Sequence, residues 1–165
     1  MSAIYILCLE DEPEVLDNVV RDLGEFEDTF PIEAAGSVQE ARKIVADLTV
    51  RGDRVGVILC DHIMPGEDGV SFLVELADRE ETVATRKILL TAQAGLESTI
   101  EAINKAHLHY YVAKPWKKAE LVQIVKAQMT EYVLGQESDI RPFLGVLDSE
   151  RLASAIRQKG LLTDE

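Results

Sequence analysis

The sequence is short of basic residues, and this shortage limits what the chain can bind. It has 17 Lys and Arg residues against 30 Asp and Glu residues, so the formal net charge of its 165 residues is −13 at pH 7. Proteins that bind the phosphate backbone of nucleic acids, or anionic membrane surfaces, carry clustered Lys and Arg. We therefore expect neither nucleic acid nor a membrane as a direct partner, whereas a cation or a basic partner fits this charge.

Cysteines and long apolar runs are scarce as well. The two cysteines, Cys8 and Cys60, lie inside short apolar runs and form no Cys-x-x-Cys motif. This is typical of buried thiols in a reducing compartment, and a redox pair is the less favoured alternative. No apolar run approaches the ~20 residues of a membrane-spanning helix. The N-terminus lacks the basic segment and long apolar core of a secretory signal, so we expect a cytoplasmic protein.

The sequence does contain a regular alternation of short apolar runs and helix-like patterns. The apolar runs lie at residues 3–9, 30–35, 55–60, 87–91 and 108–113. A helical pattern follows each run, so the alternation predicts a parallel sheet between two layers of helices, a three-layer α/β/α fold. We expect Gly24 to end the first helix and Ser37 to begin the second in a capping box with Glu40. The fourth helical pattern, over residues 95–106, is the weakest.

The chain becomes polar after the fifth helical pattern, which predicts a domain boundary. We expect residues 1–134 to form one domain and residues 135–165 to form a helical extension or linker. The extension contains two amphipathic patterns. The first covers residues 140–147, and the second is capped by Asp148 or the serine after it and ends at Gly160. The sequence leaves open whether its C-terminus is native or the chain is a piece of a longer protein.

Polar side chains stand where the predicted strands end. They are Glu10, Asp11 and Glu12 after the first strand, Asp61 after the third, Thr91 at the end of the fourth and Lys114 after the fifth. We expect these groups to converge, because the carboxyl ends of parallel strands share one edge of the sheet. Carboxylates at close range require a hard cation, and Mg²⁺ prefers oxygen ligands, with Mn²⁺ as its alternative. An aspartate such as Asp61 can also accept a phosphoryl group, whose charge an ammonium and a hydroxyl would stabilise.

Four segments, "LCLEDEP", "LCDHIMPGEDG", "ILLTA" and "YYVAKPW", hold these residues in order. Together they resemble the signature segments of the CheY-like receiver domain of bacterial response regulators, and the resemblance covers roughly residues 3–133. The resemblance implies a flavodoxin-like fold with a five-stranded parallel sheet of order 2-1-3-4-5. It also implies a function, which is to accept a phosphoryl group from the phosphohistidine of a sensor histidine kinase or histidine phosphotransfer protein. The domain would then change conformation to pass on a signal, without a separate enzymatic activity.

The resemblance assigns a metal site and a phosphoacceptor. It makes Asp61 the phosphoacceptor, and it implies that Glu10, Asp11 and Asp61 bind Mg²⁺ together with the backbone carbonyl of Ile63. A Glu–Asp pair stands here where Asp–Asp is more usual. Because Glu10 is one methylene longer than aspartate, the sequence leaves open whether it binds the metal directly or through water.

The resemblance also assigns the residues that would respond to phosphorylation. Thr91 would donate to the phosphoryl group and shift, and Tyr111 would be the aromatic switch that turns inward when Thr91 moves. Lys114 would bridge to Asp61 and later to the phosphoryl oxygen, ahead of a cis Pro115. A homodimer is expected through the face of the fourth helix, fifth strand and fifth helix, or through the C-terminal helices.

Two other functions remain as alternatives. A degenerate receiver would act as a docking module that does not depend on phosphorylation. A phosphohydrolase would form an aspartyl-phosphate and release it to water, but such enzymes commonly need a second acid two residues after the nucleophile, where this chain has Ile63. Nucleotide binding is disfavoured, because neither a P-loop nor a dinucleotide-binding motif is present.

Overall fold

A sheet of five parallel strands forms the centre of the protein, in a computed structural model that describes residues 2–62, 64–92 and 103–163. The strands are β1 (Ile4–Leu9), β2 (Ile32–Ala35), β3 (Arg54–Asp61), β4 (Arg86–Thr91) and β5 (Tyr110–Ala113). Their order is β2-β1-β3-β4-β5, and every neighbouring pair is parallel. The predicted sheet and its order are therefore confirmed.

Helices follow the strands along the chain. They are α1 (Pro13–Asp22), α2 (Val38–Arg51), α3 (Gly69–Ala77), α4 (Lys118–Gln136) and α5 (Ser149–Thr163), with 3₁₀ turns at Gly24–Phe26 and Arg141–Phe143. The helix predicted over residues 95–106 falls largely outside the described residues, so the fifth predicted helix is α4. Within the described part of the chain, none of the helices combines the length and apolar character needed to span a bilayer.

The apolar residues of each strand divide between two cores, one on each face of the sheet. In β1, Ile6 and Cys8 pack on the face covered by α1 and α4, whereas Leu7 and Leu9 pack on the face covered by α2 and α3. This follows from the two-residue period of a strand, and it explains why the run is apolar throughout.

The two cysteines lie on opposite faces of the sheet as buried free thiols. Cys8 belongs to the core under α1 and α4, and Cys60 belongs to the core under α2 and α3. Burial, followed by the charge of Glu27, raises the pKa of Cys8 to about 12. A disulfide between them is excluded by the sheet that separates them, in agreement with the expectation of inert buried thiols.

The predicted start of α2 is confirmed, with one difference. The Ser37 hydroxyl accepts from the Glu40 backbone N–H at 3.1 Å, as an N-cap should. The Glu40 carboxylate, however, accepts from the N–H of Gly36 at 3.1 Å, one residue before the cap. The helix ends at Gly52, whose φ of 82° is the left-handed conformation that glycine adopts without strain.

The end of α1 lies close to the predicted position. The helix ends at Asp22 with Leu23 as its cap, and Gly24, the next residue, begins the short 3₁₀ turn. Leu23 and Phe26 on either side of it have no exposed surface. The turn after α1 therefore buries both of these side chains in the core.

The extension packs onto the rest of the protein rather than standing free. Leu147 and Leu152 are buried in the same core as α1 and α4. The first predicted amphipathic helix is wrong, because this segment forms a 3₁₀ turn in which Phe143 stacks on Phe30 with ring centroids 5.6 Å apart. Asp148 caps α5 by accepting from the Arg151 N–H at 3.1 Å.

The predicted end of α5 at Gly160 is also wrong, since the helix continues to Thr163. A glycine inside a helix costs only about 1 kcal/mol relative to alanine. This penalty is too small to end a helix on its own.

Lys87 is a fully buried cation in β4, and its removal is expected to stabilise the protein. Its Nζ donates to the Thr85 carbonyl at 2.9 Å, and burial followed by the charge of Arg86 lowers the pKa of Lys87 from 10.5 to about 8. Holding the charge inside at pH 7 costs free energy, so Lys87→Met should raise the free energy of unfolding by about 1–3 kcal/mol. Urea unfolding at pH 7 measures this gain.

The pH dependence of stability distinguishes the cost of the buried Lys87 charge from a general effect of side-chain packing. Between pH 8 and 10.5 the unfolded wild type binds more protons than the folded one, so wild-type stability should rise with pH across that window. Lys87→Met should lack this rise. The control is Lys43→Met, since Lys43 is exposed on α2 and its replacement should change stability by less than about 0.5 kcal/mol. A Lys87→Met protein less stable than wild type at pH 7 would contradict the prediction.

Candidate functional site

Three carboxylates meet where β1 and β3 end. Leu9 pairs with Cys60 across these strands, so Glu10 and Asp61 leave neighbouring strands at the same level. One carboxylate oxygen from each of Glu10, Asp11 and Asp61 lies within 4.8 Å of the others. Glu10 is 2% exposed and Asp61 is 7% exposed, which means that this negative charge is largely removed from water.

The ammonium of Lys114 lies between two of these carboxylates. Its Nζ is 2.8 Å from Oε1 of Glu10 and 3.4 Å from Oδ1 of Asp61. The backbone N–H of Lys114 donates to the Thr91 carbonyl at 3.0 Å, which holds Lys114 beside the end of β4, directly after β5. The Lys114–Pro115 peptide bond is cis, as expected. Lys114 therefore joins the ends of β1, β3 and β5 at a single site.

The pKa values of Glu10 and Lys114 are both raised, but for different reasons. Burial is the main cause that raises the pKa of Glu10 to about 7; its hydrogen bond from Lys114 opposes that rise, and the neighbouring Asp61 adds to it. Burial alone would lower the pKa of Lys114, but the hydrogen bond to Glu10 and the charge of Asp61 outweigh burial and raise it. The lysine therefore remains charged at neutral pH, between carboxylates that need a cation.

The donor set fits a hard divalent cation. Oε2 of Glu10 is buried and has no hydrogen-bond partner among the described residues. A buried acceptor without a partner costs free energy, and a bound cation would remove that cost. Carboxylate oxygens are the ligands that Mg²⁺ prefers in proteins. Glu10, Asp11 and Asp61 would hold the ion, and Ile63, the fourth predicted ligand, lies outside the described residues.

The turn after Asp61 adds contacts that the sequence did not predict. The backbone N–H of His62 donates to Oδ1 of Asp61 at 2.9 Å, and the N–H of Gly69 donates to the His62 carbonyl at 3.0 Å. A Cβ at Gly69 would lie 1.8 Å from the carbonyl oxygen of Asp61. Only glycine fits there. The "PGEDG" segment indicated a turn, but nothing in it showed which glycine contacts the backbone of Asp61.

Thr91 and Tyr111 lie on the same face of the sheet. Thr91 ends β4 and is 2% exposed. Tyr111 pairs with Leu89, which lies two residues before Thr91. Side chains two residues apart on a strand point to the same face, so Thr91 and Tyr111 share that face. Tyr111 is half-buried against the core of α2 and α3, whereas Tyr110 points the other way and is 46% exposed. The geometry fits the predicted switch pair.

A groove beside Lys114 holds the single tryptophan. It has a volume of about 550 Å³ and is lined by Lys114, Pro115 and Trp116 together with residues of α1. The indole N–H of Trp116 donates to Oδ2 of Asp22 at 2.9 Å. Trp116 therefore lies close enough to the site to report on it by fluorescence.

Comparison with known families identifies the chain. Residues 6–126 match the family described as the response regulator receiver domain. The chain belongs to this family. Receiver domains are the signal-transduction modules of response regulators, and the resemblance noted in the sequence is confirmed.

Curated relatives of this receiver domain include two regulatory proteins of the same name. It is 31% identical over 134 residues to the hydrogenase transcriptional regulatory protein HoxA of Bradyrhizobium diazoefficiens, covering 81% of this chain and 26% of that protein. It is 29% identical over 160 residues to HoxA of Cupriavidus necator, covering 91% of this chain and 31% of that protein. The chain thus spans about a quarter to a third of these relatives.

Solved receiver structures share the fold. A CheY-like receiver domain protein from Methanospirillum hungatei superposes with a TM-score of 0.67 at 21% identity, covering 80% of this chain and 97% of that chain. The signal receiver domain of an HD domain-containing protein from Pseudomonas fluorescens superposes with a TM-score of 0.72 at 20% identity, covering 84% and 96%. The predicted flavodoxin-like, CheY-like fold is therefore confirmed.

Proposed function

We propose that this receiver domain accepts a phosphoryl group on Asp61 from the phosphohistidine of a sensor histidine kinase or a histidine phosphotransfer protein, in a Mg²⁺-dependent reaction. The observation that carries the proposal is the position of Lys114, whose ammonium contacts the buried carboxylates of Glu10 and Asp61 beside the partly exposed Asp11. A lone acidic cluster would be ambiguous. In a cluster bridged by an ammonium, the carboxylates can hold a metal ion and the ammonium can stabilise the negative charge of the phosphoryl oxygens.

The chemistry assigned to the chain's own residues is a direct transfer. One carboxylate oxygen of Asp61 attacks phosphorus, the phosphorus–nitrogen bond to the donor histidine breaks, and its electron pair returns to the imidazole. The His62 N–H holds Oδ1 of Asp61 and so orients the nucleophile. Lys114 follows the negative charge from the carboxylate to the phosphoryl oxygens. When bound by Glu10, Asp11 and Asp61, Mg²⁺ would supply further charge neutralisation.

The same reaction would drive the change of conformation. In the proposal Thr91 moves to donate to the phosphoryl group, and Tyr111 turns into the space that this movement opens. The support is that Thr91 and Tyr111 share one face of neighbouring strands. A local charge change of this kind biases an element that has two arrangements, and this is how phosphorylation switches proteins.

We further propose that residues 1–134 form the phosphoacceptor unit and that residues 135–165 form an extension packed on it. The contacts of Leu147 and Leu152 with the core of α1 and α4 support this division of roles. Two buried free thiols fit a reducing, cytoplasmic setting. Self-association would use the face of β5 with its neighbouring helices, where Tyr110 is exposed, or α5, where Ile156 is 43% exposed.

The experiment that tests the proposed function is phosphorylation of the purified chain by a small acyl phosphate. In the presence of Mg²⁺ we expect an alkali-labile adduct, and peptide mapping should locate it on Asp61. Chelating the metal should prevent its formation. The absence of an adduct, together with the absence of any Mg²⁺-dependent change in Trp116 fluorescence, would instead support a docking module, and rapid hydrolysis of many phosphomonoesters would support a phosphohydrolase. Either of these outcomes would overturn the proposal.

A further inference from the structure

We infer that Arg42 is a positioning residue for the phosphoacceptor turn, an inference that rests on the proposed function because it concerns cation binding at that site. Arg42 lies on α2, which supplies none of the predicted site residues. Its guanidinium nevertheless ties the turn after Asp61 to α2 and α3. It would hold in place the segment of backbone that orients Asp61.

Arg42 forms two hydrogen bonds with each of two glutamates. Its Nη1 and Nη2 donate to the two carboxylate oxygens of Glu67 at 3.2 and 2.9 Å. Its Nε and Nη2 donate to the two carboxylate oxygens of Glu75 at 2.9 and 3.0 Å. The guanidinium carbon also lies 5.9 Å from the centre of the Phe72 ring. Such paired, planar bonds fix direction as well as distance, which a single lysine contact cannot do.

The glutamates connect Arg42 to different parts of the protein. Glu75 belongs to α3, so its bonds join one helix to another. Glu67 lies in the turn between Asp61 and Gly69, so its bonds hold the turn itself. That turn is short and bonded at both ends, because Gly69 donates to the carbonyl of His62 and His62 donates to Asp61. These two bonds connect the end of the turn beyond Glu67 to His62 and His62 to the Asp61 carboxylate, so we expect a displacement of Glu67 to move that carboxylate.

If Arg42 formed only an ordinary surface ion pair, its removal would not disturb the metal site, since exposed ion pairs contribute little to stability. The Arg42 and Glu67 side chains are 37% and 47% exposed, so this alternative requires a direct test. A surface ion pair and a positioning role predict opposite changes in the affinity of the site for a cation. Removal of the positive charge of Arg42 should strengthen the binding of a cation if only long-range charge matters, and should weaken it if Arg42 positions the site.

The test measures Mn²⁺ binding by electron paramagnetic resonance in wild type and Arg42→Gln. We expect the affinity to fall by about 10-fold, the lower end of the loss that follows removal of a partner that orients a metal ligand. Arg42→Lys keeps the charge but not the paired bonds, and it should lose a similar amount. Unchanged or tighter Mn²⁺ binding by both variants would overturn the inference. Urea unfolding of each variant confirms that binding is measured on folded protein.

Glu67 and Glu75 provide a matched pair of controls. Glu67→Gln and Glu75→Gln each remove one negative charge next to the same arginine, but only Glu67 holds the turn. We expect Glu67→Gln to weaken Mn²⁺ binding more than Glu75→Gln does. Added to Arg42→Gln, the Glu67→Gln change should have little further effect, because both remove one contact. The inference would be overturned if both glutamate variants weakened Mn²⁺ binding equally and the effects of Glu67→Gln and Arg42→Gln were fully additive.

Failure of this inference is distinguishable from failure of the proposed function. If wild type does not bind Mn²⁺ or form the Asp61 adduct, the proposed function fails and this inference fails with it. If wild type binds Mn²⁺ and the Arg42 variants bind it equally well, the proposed function stands and the positioning role is wrong.

Discussion

Replacing Asp61 with asparagine is expected to abolish phosphoryl incorporation from an acyl phosphate. An amide is not a nucleophile for phosphorus under these conditions, and the side chain would also lose the charge that Lys114 contacts at 3.4 Å. The expected loss is complete within the detection limit, at least about 10³-fold, because removal of a covalent nucleophile removes the reaction path itself. Incorporation is measured with a labelled phosphodonor after denaturing separation of the protein.

The control for this result is Asp47→Asn. Asp47 is exposed on α2, and its replacement changes the net charge by the same amount. It should leave incorporation unchanged. Wild-type levels of adduct on the Asp61→Asn protein, mapped to another acid such as Asp11, would show that the phosphoacceptor has been assigned to the wrong residue.

Replacing Gly69 with alanine is expected to destabilise the protein by more than about 3 kcal/mol, the range of severe overpacking. The added Cβ would lie 1.8 Å from the Asp61 carbonyl oxygen and 2.8 Å from the sulfur of Cys60. The first of these atoms is backbone in the middle of the site, so it cannot move aside as a flexible side chain would. Urea unfolding of the variant and of wild type gives the difference.

Gly24→Ala is the matched control for Gly69→Ala. A Cβ on Gly24 would meet nothing within 4 Å, and its backbone is not left-handed. We expect its stability to stay within about 0.5 kcal/mol of wild type. If Gly69→Ala unfolds at the same urea concentration as Gly24→Ala, the turn after Asp61 is less tightly packed against α3 than the structure indicates.

The sheet and the positions of the site residues could be predicted because local patterns determine them. A run such as "ILCL" is apolar at every position, which is how a strand covered on both faces appears in a sequence. Parallel strands share an edge, so the residues after each strand, Asp61 and Lys114 among them, had to approach one another. Ser37 could be assigned as a cap because capping depends on residues only three apart.

The remaining features depend on contacts between distant residues, which leave no local pattern. In the 3₁₀ turn of the extension, Phe143 stacks on Phe30, which lies more than a hundred residues earlier in the chain. The position of Lys114, nearer to Glu10 than to Asp61, follows from the longer glutamate side chain and its burial. The bonds of Arg42 to Glu67 join residues that lie 25 positions apart. Spacing within one helix or strand cannot indicate such pairs.

The length of α4 has a mechanical consequence. The helix begins shortly after Lys114 and has 19 residues, so it is about 28 Å long. At its far end Glu137 is held by Arg54 at 2.9 Å, and there the extension begins. One rigid helix therefore runs from the edge of the sheet that carries the carboxylate cluster to the opposite side of the domain. A tilt of a few degrees at that edge would become a displacement of an ångström or more at the extension.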